Sequence, residues 1–169
     1  MKQVGKHPPA AGIHHNGDLI GELPFLILPQ LKEQVAALFL KEKKEKMLIT
    51  CTSFGFKYGI PSDADLVFDV RCLPNPFYIP ELKNKTGLDQ QVRDYVFSCE
   101  EARQLYQKIE DFLNFTIPLY EKEGKRQLVV AFGCTGGKHR SVSFAWKAAQ
   151  SLKEREENVF VSHRDVRKT

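Results

Sequence analysis

The sequence is poor in the features that mark a specialised class. Its four cysteines, Cys51, Cys72, Cys99 and Cys134, include no C-x-x-C pair, so neither a zinc ribbon nor a thioredoxin-type redox motif is written in it. Three of them stand in apolar or strand-like surroundings, where a thiol acts as a small core side chain, and no disulfide is expected. No apolar run approaches the ~20 residues of a membrane span. Met1–His15 holds two lysines with no apolar stretch behind them, so no secretory signal is read there. The expectation is a cytoplasmic chain without a membrane partner. His14 and His15 have no third ligand nearby, so no metal site is expected, and nothing calls for a cofactor. An excess of either charge is also missing. Lys and Arg number 25 against 21 Asp and Glu, and the resulting +4 permits an acidic partner such as RNA or a phosphorylated metabolite without requiring one.

What remains is an ordinary globular composition in 169 residues, enough to bury a real core without staples. Residues 1–29, rich in Pro, Gly and His, read as a poorly ordered arm. Residues 30–46 read as a helix, with Leu31, Val35, Leu38 and Phe39 at helical spacing. Met47–Ser53 and Leu66–Val70 read as strands, the second a buried run of the parallel-sheet kind. Between them, Gly55, Gly59 and Pro61 dictate a loop. Arg71–Leu88 carries Pro74, Pro76, Pro80 and Gly87 and is a long irregular segment, of the kind that in compact domains usually has a function. A short helix over Asp89–Phe97 follows. Ser98 then reads as an N-cap with Glu101 as its capping-box partner, opening a helix to about Lys122 that Pro118 should kink. Its apolar face is read as Leu105, Ile109, Phe112 and Leu113. Gln127–Phe132 is the clearest strand, Lys138–Glu154 a helix, and Asn158–Val161 a last strand. This order predicts an α/β class fold: a single layered domain around a largely parallel sheet, with a glycine-rich anion-binding loop between a central strand and a helix. The ligand of such a sheet belongs at the carboxyl ends of its strands.

Gly133–Cys134–Thr135–Gly136–Gly137–Lys138–His139–Arg140–Ser141 joins that central strand to that helix. Glycines allow positive φ and a close backbone approach to an anion, and the helix N-terminus adds partial positive charge. Lys138, His139 and Arg140 bring donors, and a guanidinium can grip phosphate with two parallel bonds. Thr135 and Ser141 bring hydroxyls. The plainer reading is a tight structural turn, which would not need three successive basic residues. A Walker A loop is excluded, because the first glycine is one residue too close to Gly137–Lys138 and His139 replaces the hydroxyl residue. A cysteine-dependent phosphatase is the alternative, since Cys134 and Arg140 have C-x5-R spacing. Against it, Gly133 precedes the cysteine, and none of Asp63, Asp65 and Asp69 stands out as a general acid.

Several motifs in one order resemble the C-terminal domain of the RapZ-type RNase adapter family. They are the loop Gly133–Val142, Ser53–Phe54–Gly55–Phe56–Lys57–Tyr58–Gly59, Phe68–Asp69–Val70–Arg71, Leu73–Pro74–Asn75–Pro76, Thr86–Gly87–Leu88–Asp89 and Ser162–His163–Arg164–Asp165. The resemblance covers roughly residues 31–169. It implies residues 30–169 as the RapZ C-terminal-like domain, with 30–46 the last helix of a preceding P-loop domain whose Walker motifs do not occur in these residues. It implies a bacterial regulatory adapter, and the family's nucleotide hydrolysis, which belongs to the P-loop domain, is carried over to no residue here. Such an adapter binds a small structured RNA, presents it to an endoribonuclease, senses an amino-sugar phosphate or similar anion, and self-associates. The sensing pocket maps to Thr135, Gly136, Gly137, His139 and Arg140, with Lys138 and Ser141 in the same loop and Arg71 and Asn75 nearby. Phe77 stands where some members have a histidine. The RNA-contacting residues map to His163, Arg164, Arg167 and Lys168. On the residues alone, Arg71 could equally be a surface salt-bridge partner, Asn75 a turn cap, and Ser162–Thr169 a solvated tail.

Overall fold

The structure is a computed structural model and describes residues 46–155 and 158–168. The helix read at 30–46 and the arm at 1–29 lie outside the described residues. Four strands form one parallel sheet: β1 Leu48–Gly55, β2 Leu66–Asp69, β3 Gln127–Cys134 and β4 Val159–His163, in the spatial order β2-β3-β1-β4. Among the described residues three α-helices accompany them: α1 Gln90–Ser98, α2 Glu100–Glu123 and α3 Arg140–Lys153. The α/β class and the parallel sheet read from the sequence are those observed, with β3 and β1 at the centre.

Register explains the apolar runs. Ile49, Cys51 and Ser53 of β1 stand beside Leu128, Val130 and Phe132 of β3, so these side chains share one face of the sheet. α3 lies on β1, β3 and β4. It can approach closely because Ala145, Ala148 and Ala149 line its buried side, while Phe144 and Leu152 fill the spaces between. Phe144 packs on Phe132 and on Phe97 of α1, and burying such a ring is worth about 2–3 kcal/mol. In α2 the buried stripe is Ala102, Tyr106, Ile109, Leu113 and Ile117, at helical spacing. Phe112, read as part of this stripe, is instead exposed and touches Phe68 at its edge. α2 continues through Pro118 and stops at Gly124, whose φ of 93° is the left-handed C-cap that glycine tolerates.

The start of α2 differs from the sequence reading. Ser98 is the last residue of α1, and its hydroxyl donates back to the Tyr95 carbonyl. No side-chain cap closes α2 at Cys99, and no capping box forms. Arg103 does the joining instead. It donates to the carbonyls of Phe97 and Ser98 at the end of α1 and pairs with Glu100. A capping box and this junction share the same residue types, and only the turn between the helices decides which forms.

Candidate functional site

β1 and β3 are both longer at their C-terminal ends than the apolar pattern suggested. β3 runs on through Gly133 and Cys134, and β1 through Phe54 and Gly55. The loop proper is therefore Thr135–His139, and α3 opens at Arg140 rather than Lys138. Glycines let the segments meet. A Cβ on Gly55 would lie 2.6 Å from the Gly136 carbonyl carbon, and one on Gly137 only 2.7 Å from the Gly55 nitrogen. Gly137 has φ 74°, which a side chain would strain further. A Cβ on Gly133 would enter the rings of Phe54 and Phe56.

The irregular segment after β2 is fastened to this loop at both ends. At one end Arg140 Nη1 donates to the carbonyls of Arg71 (2.7 Å) and Leu73 (2.8 Å). At the other, Gly87 N–H donates to the Lys138 carbonyl, and a Cβ on Gly87 would strike the His139 oxygen and the Ser143 nitrogen, both at 2.5 Å. The Thr86–Asp89 motif makes that approach a tight turn, since Asp89 accepts from Thr86 N–H and hydroxyl while Thr86 Oγ1 accepts from Leu88 N–H.

The sequence-derived residues divide into groups. Thr135 is exposed and Lys138 half-buried, both beside the glycine turn. His139 and Arg140 are buried, and their Nε2 and Nε atoms are shut from solvent with no hydrogen-bond partner. Burial pulls the His139 pKa down, opposed by the surrounding backbone of Leu82, Lys83 and Lys85. Ser141 is also buried, and its hydroxyl lies 3.1 Å from Cys134 Sγ. Arg71 stands at the rim, exposed, in a bidentate pair with Asp69 and stacked 3.9 Å over Phe56. The Arg71 guanidinium holds the Asp69 carboxyl below the usual range. Asn75 Oδ1 accepts from Phe77 N–H and caps the 3-10 turn Pro76–Tyr78, while Phe77 is exposed.

The C-terminal run is folded rather than a solvated tail. His163 closes β4, its Nδ1 lies 2.8 Å from Ser53 Oγ, and burial lowers its pKa. Arg164 donates to the Gly59 carbonyl at 2.6 Å and pairs with Asp165, and Lys168 also pairs with Asp165. Arg167 is exposed. The sequence reading missed Asp165, to which it gave no role. It is fully buried, and its Oδ2 accepts the N–H of Gly55 at 2.8 Å. The signal available was its place in the Ser162–Asp165 motif. Gly55 and Gly87 were read only as loop residues, whereas Gly55 closes β1 and each lets its backbone approach the loop closely.

These elements define an α/β domain with a glycine-rich turn at the carboxyl ends of its two central strands, where open parallel sheets hold their ligands. Residues 47–167 match the family model described as the RapZ C-terminal domain, and the chain belongs to that family. It is 55% identical over 138 residues to a nucleotide-binding protein of Caldanaerobacter subterraneus subsp. tengcongensis, covering 81% of this chain and 49% of that protein. It is 52% identical over 139 residues to one of Clostridium acetobutylicum (81% and 47%), and 48% identical over 157 residues to one of Caldicellulosiruptor bescii (92% and 54%). The chain thus spans about half the length of the curated relatives it matches. The cysteine-phosphatase alternative is not favoured by this membership. Among the described residues no helix is long and apolar enough to cross a membrane.

Proposed function

We propose that this domain binds a phosphate ester, an amino-sugar phosphate, in the Thr135–Ser141 turn, and that it serves as a ligand-sensing, RNA-binding adapter of the RapZ type. One observation carries the ligand half. Arg140 Nε and His139 Nε2 are buried without partners where α3 begins, and no side chain caps that helix. An unpaired buried polar group costs about 1–3 kcal/mol, which a bound anion with several acceptor oxygens would offset at Arg140. The uncapped helix N-terminus and the positive φ at Gly137 favour an anion at the same place. Thr135, Gly136, Gly137, Lys138, His139 and Arg140 form the cradle in this reading. Arg71, partnered by Asp69, and Asn75, partnered by Phe77, belong to the same reading, and the Ser141 hydroxyl lies against Cys134 Sγ. The names of the relatives point to nucleotides, which share the phosphate-ester chemistry, and that activity belongs to proteins about twice as long.

The RNA half rests on family membership and on cations around this end of the sheet. Lys138 and exposed Arg167 offer phosphate contacts there; Lys147, which lies over the Phe97 and Tyr106 rings, and Lys153, in the last turn of α3, are farther from that end. Arg164 and Lys168 contribute less, because Asp165 neutralises them. An endoribonuclease is the partner such an adapter would serve, and self-association is part of the same reading. The test of the ligand half is calorimetric titration with a hexosamine phosphate, inorganic phosphate and a nucleoside monophosphate. Binding of the hexosamine phosphate that is lost in Lys138→Ala and Thr135→Val supports the reading. No heat with any of the three overturns it.

A further inference from the structure

The carboxylate of Asp165 is the meeting point of four pieces of chain. Its Oδ2 accepts the N–H of Gly55, the last residue of β1. Its Cβ lies where a Cβ on Gly137 would come within 2.9 Å, so the left-handed turn of the loop rests against it. Arg164 grips both oxygens and carries on to the Gly59 carbonyl beyond the Phe56–Tyr58 turn. Lys168 closes the other side at 2.7 Å. Ion pairs whose cations stay partly exposed are a weak way to hold a surface turn, since solvent screens much of the attraction. An apolar side chain could fill the space. It could not accept the Gly55 N–H, and that N–H lies against Gly137 in the loop.

We propose that Asp165 is a positioning residue for the phosphate loop, acting through Gly55 and Gly137 without touching the ligand. This rests on the reading of Thr135–Ser141 as an anion site. The carboxylate fixes the end of β1, the end of β1 fixes Gly137, and the loop's N–H groups keep their aim when no ligand is present. Preorganisation of this kind raises affinity by removing an ordering cost at binding.

Charge and position act with opposite signs, and Asp165→Asn separates them. The substitution frees Arg164 and Lys168 and makes the region one unit more positive, so electrostatics alone would tighten anion binding. Loss of position would weaken it, because the amide can offer its one oxygen to the Gly55 N–H only by turning its NH2 donor onto the donors of Arg164 and Lys168. We expect Asp165→Asn to bind inorganic phosphate on the order of tenfold more weakly by calorimetry, with faster amide exchange at Gly55, Gly136 and Gly137 by NMR. Equal or tighter binding with unchanged exchange overturns the proposal. If the unmodified protein binds neither inorganic phosphate nor a hexosamine phosphate nor a nucleoside monophosphate, the anion-site reading falls. Asp165 is then judged on exchange alone, and unchanged protection at Gly136 and Gly137 in the variant overturns it. Should Asp165→Asn fail to fold, Asp165→Glu keeps the charge and the ion pairs but lengthens the arm. It should still bind phosphate more weakly, and wild-type affinity there refutes the positioning role.

Discussion

Arg140 Nη1 donates to the Arg71 carbonyl at 2.7 Å, so the first residue of α3 holds the segment that leaves β2. A second bond from the same nitrogen reaches the Leu73 carbonyl. Arg140→Ala leaves both carbonyls without a donor inside the fold. It should lower the unfolding free energy by about 2–4 kcal/mol in urea and abolish phosphate-ester binding. An unchanged urea midpoint would show that water replaces the guanidinium at no cost.

Two neighbouring glycines should respond differently to a single methyl group. Gly137 has φ 74°, and its Cβ would lie 2.7 Å from Gly55 N, whereas a Cβ on Gly136 meets nothing within 4 Å. Gly137→Ala should cost about 1–3 kcal/mol and distort the loop. Gly136→Ala should stay within about 1 kcal/mol of the parent. Thermal unfolding of the two variants side by side checks the contrast, and equal melting temperatures would contradict it.

Acid should destabilise the domain in two stages. Burial lowers the pKa of His139 and His163, so each contributes stability above the ordinary histidine value that is lost as pH falls through the lowered folded value. Burial pushes the Asp165 carboxyl up, but bonds from Arg164, the Gly55 N–H and Lys168 outweigh it, leaving about 2. Its contribution of about 2 kcal/mol is complete above the usual carboxylate value of about 3.9 and disappears as pH falls towards 2. Unfolding free energy against pH should therefore fall first below about 6.5 and again below about 4. Asp165→Asn should show a smaller second step, since Asp69, Asp65 and Asp89, also held below the usual carboxylate range, still titrate there.

Cys134 should not be a nucleophile. Its side chain is buried against Ser141 at the end of β3. The protein should release no phenol from an aryl phosphate, and Cys134→Ser should bind phosphate like the parent. Turnover that disappears in Cys134→Ser would restore the phosphatase alternative.

RNA binding, if carried by this domain, should depend on its free cations. Arg167→Glu should weaken a gel shift with structured RNA and flatten its salt dependence, because one phosphate contact fewer releases fewer counterions. Truncation after Val161 is a poorer probe, since it also removes His163 and Asp165 and with them the bonds to Ser53 and Gly55. Equal shifts for the parent and Arg167→Glu at both low and high salt would remove Arg167 from the interface.

Much of this arrangement was legible in the chain. β-branched and apolar runs placed all four strands, because a strand in a parallel sheet must be apolar along most of its length. Helical spacing placed α2 and α3, and the glycine-rich turn marked the carboxyl end of the central strand. Their ends were less legible. Gly133 and Cys134 read as loop residues by composition, yet pairing with Phe54 and Gly55 keeps them in β3. Ser98 read as a cap by type, yet the chain turns one residue later. Local propensity ranks what each residue can do, and partners distant in sequence decide which option is used.

By itself the sequence determined the class of fold, the family and the place of the glycine-rich turn after the central strand, since periodicity and motif order are properties of neighbours along the chain. The partners of Asp165 and Arg140 were decided only by the tertiary structure. Asp165 meets a backbone N–H 110 residues away, and Arg140 meets carbonyls 69 and 67 residues away. A backbone N–H or carbonyl is the same in every residue. Sequence therefore carries no mark of which one a buried carboxylate or guanidinium will take, and the parallel pairing of the four strands makes the choice by bringing their C-terminal ends to one edge.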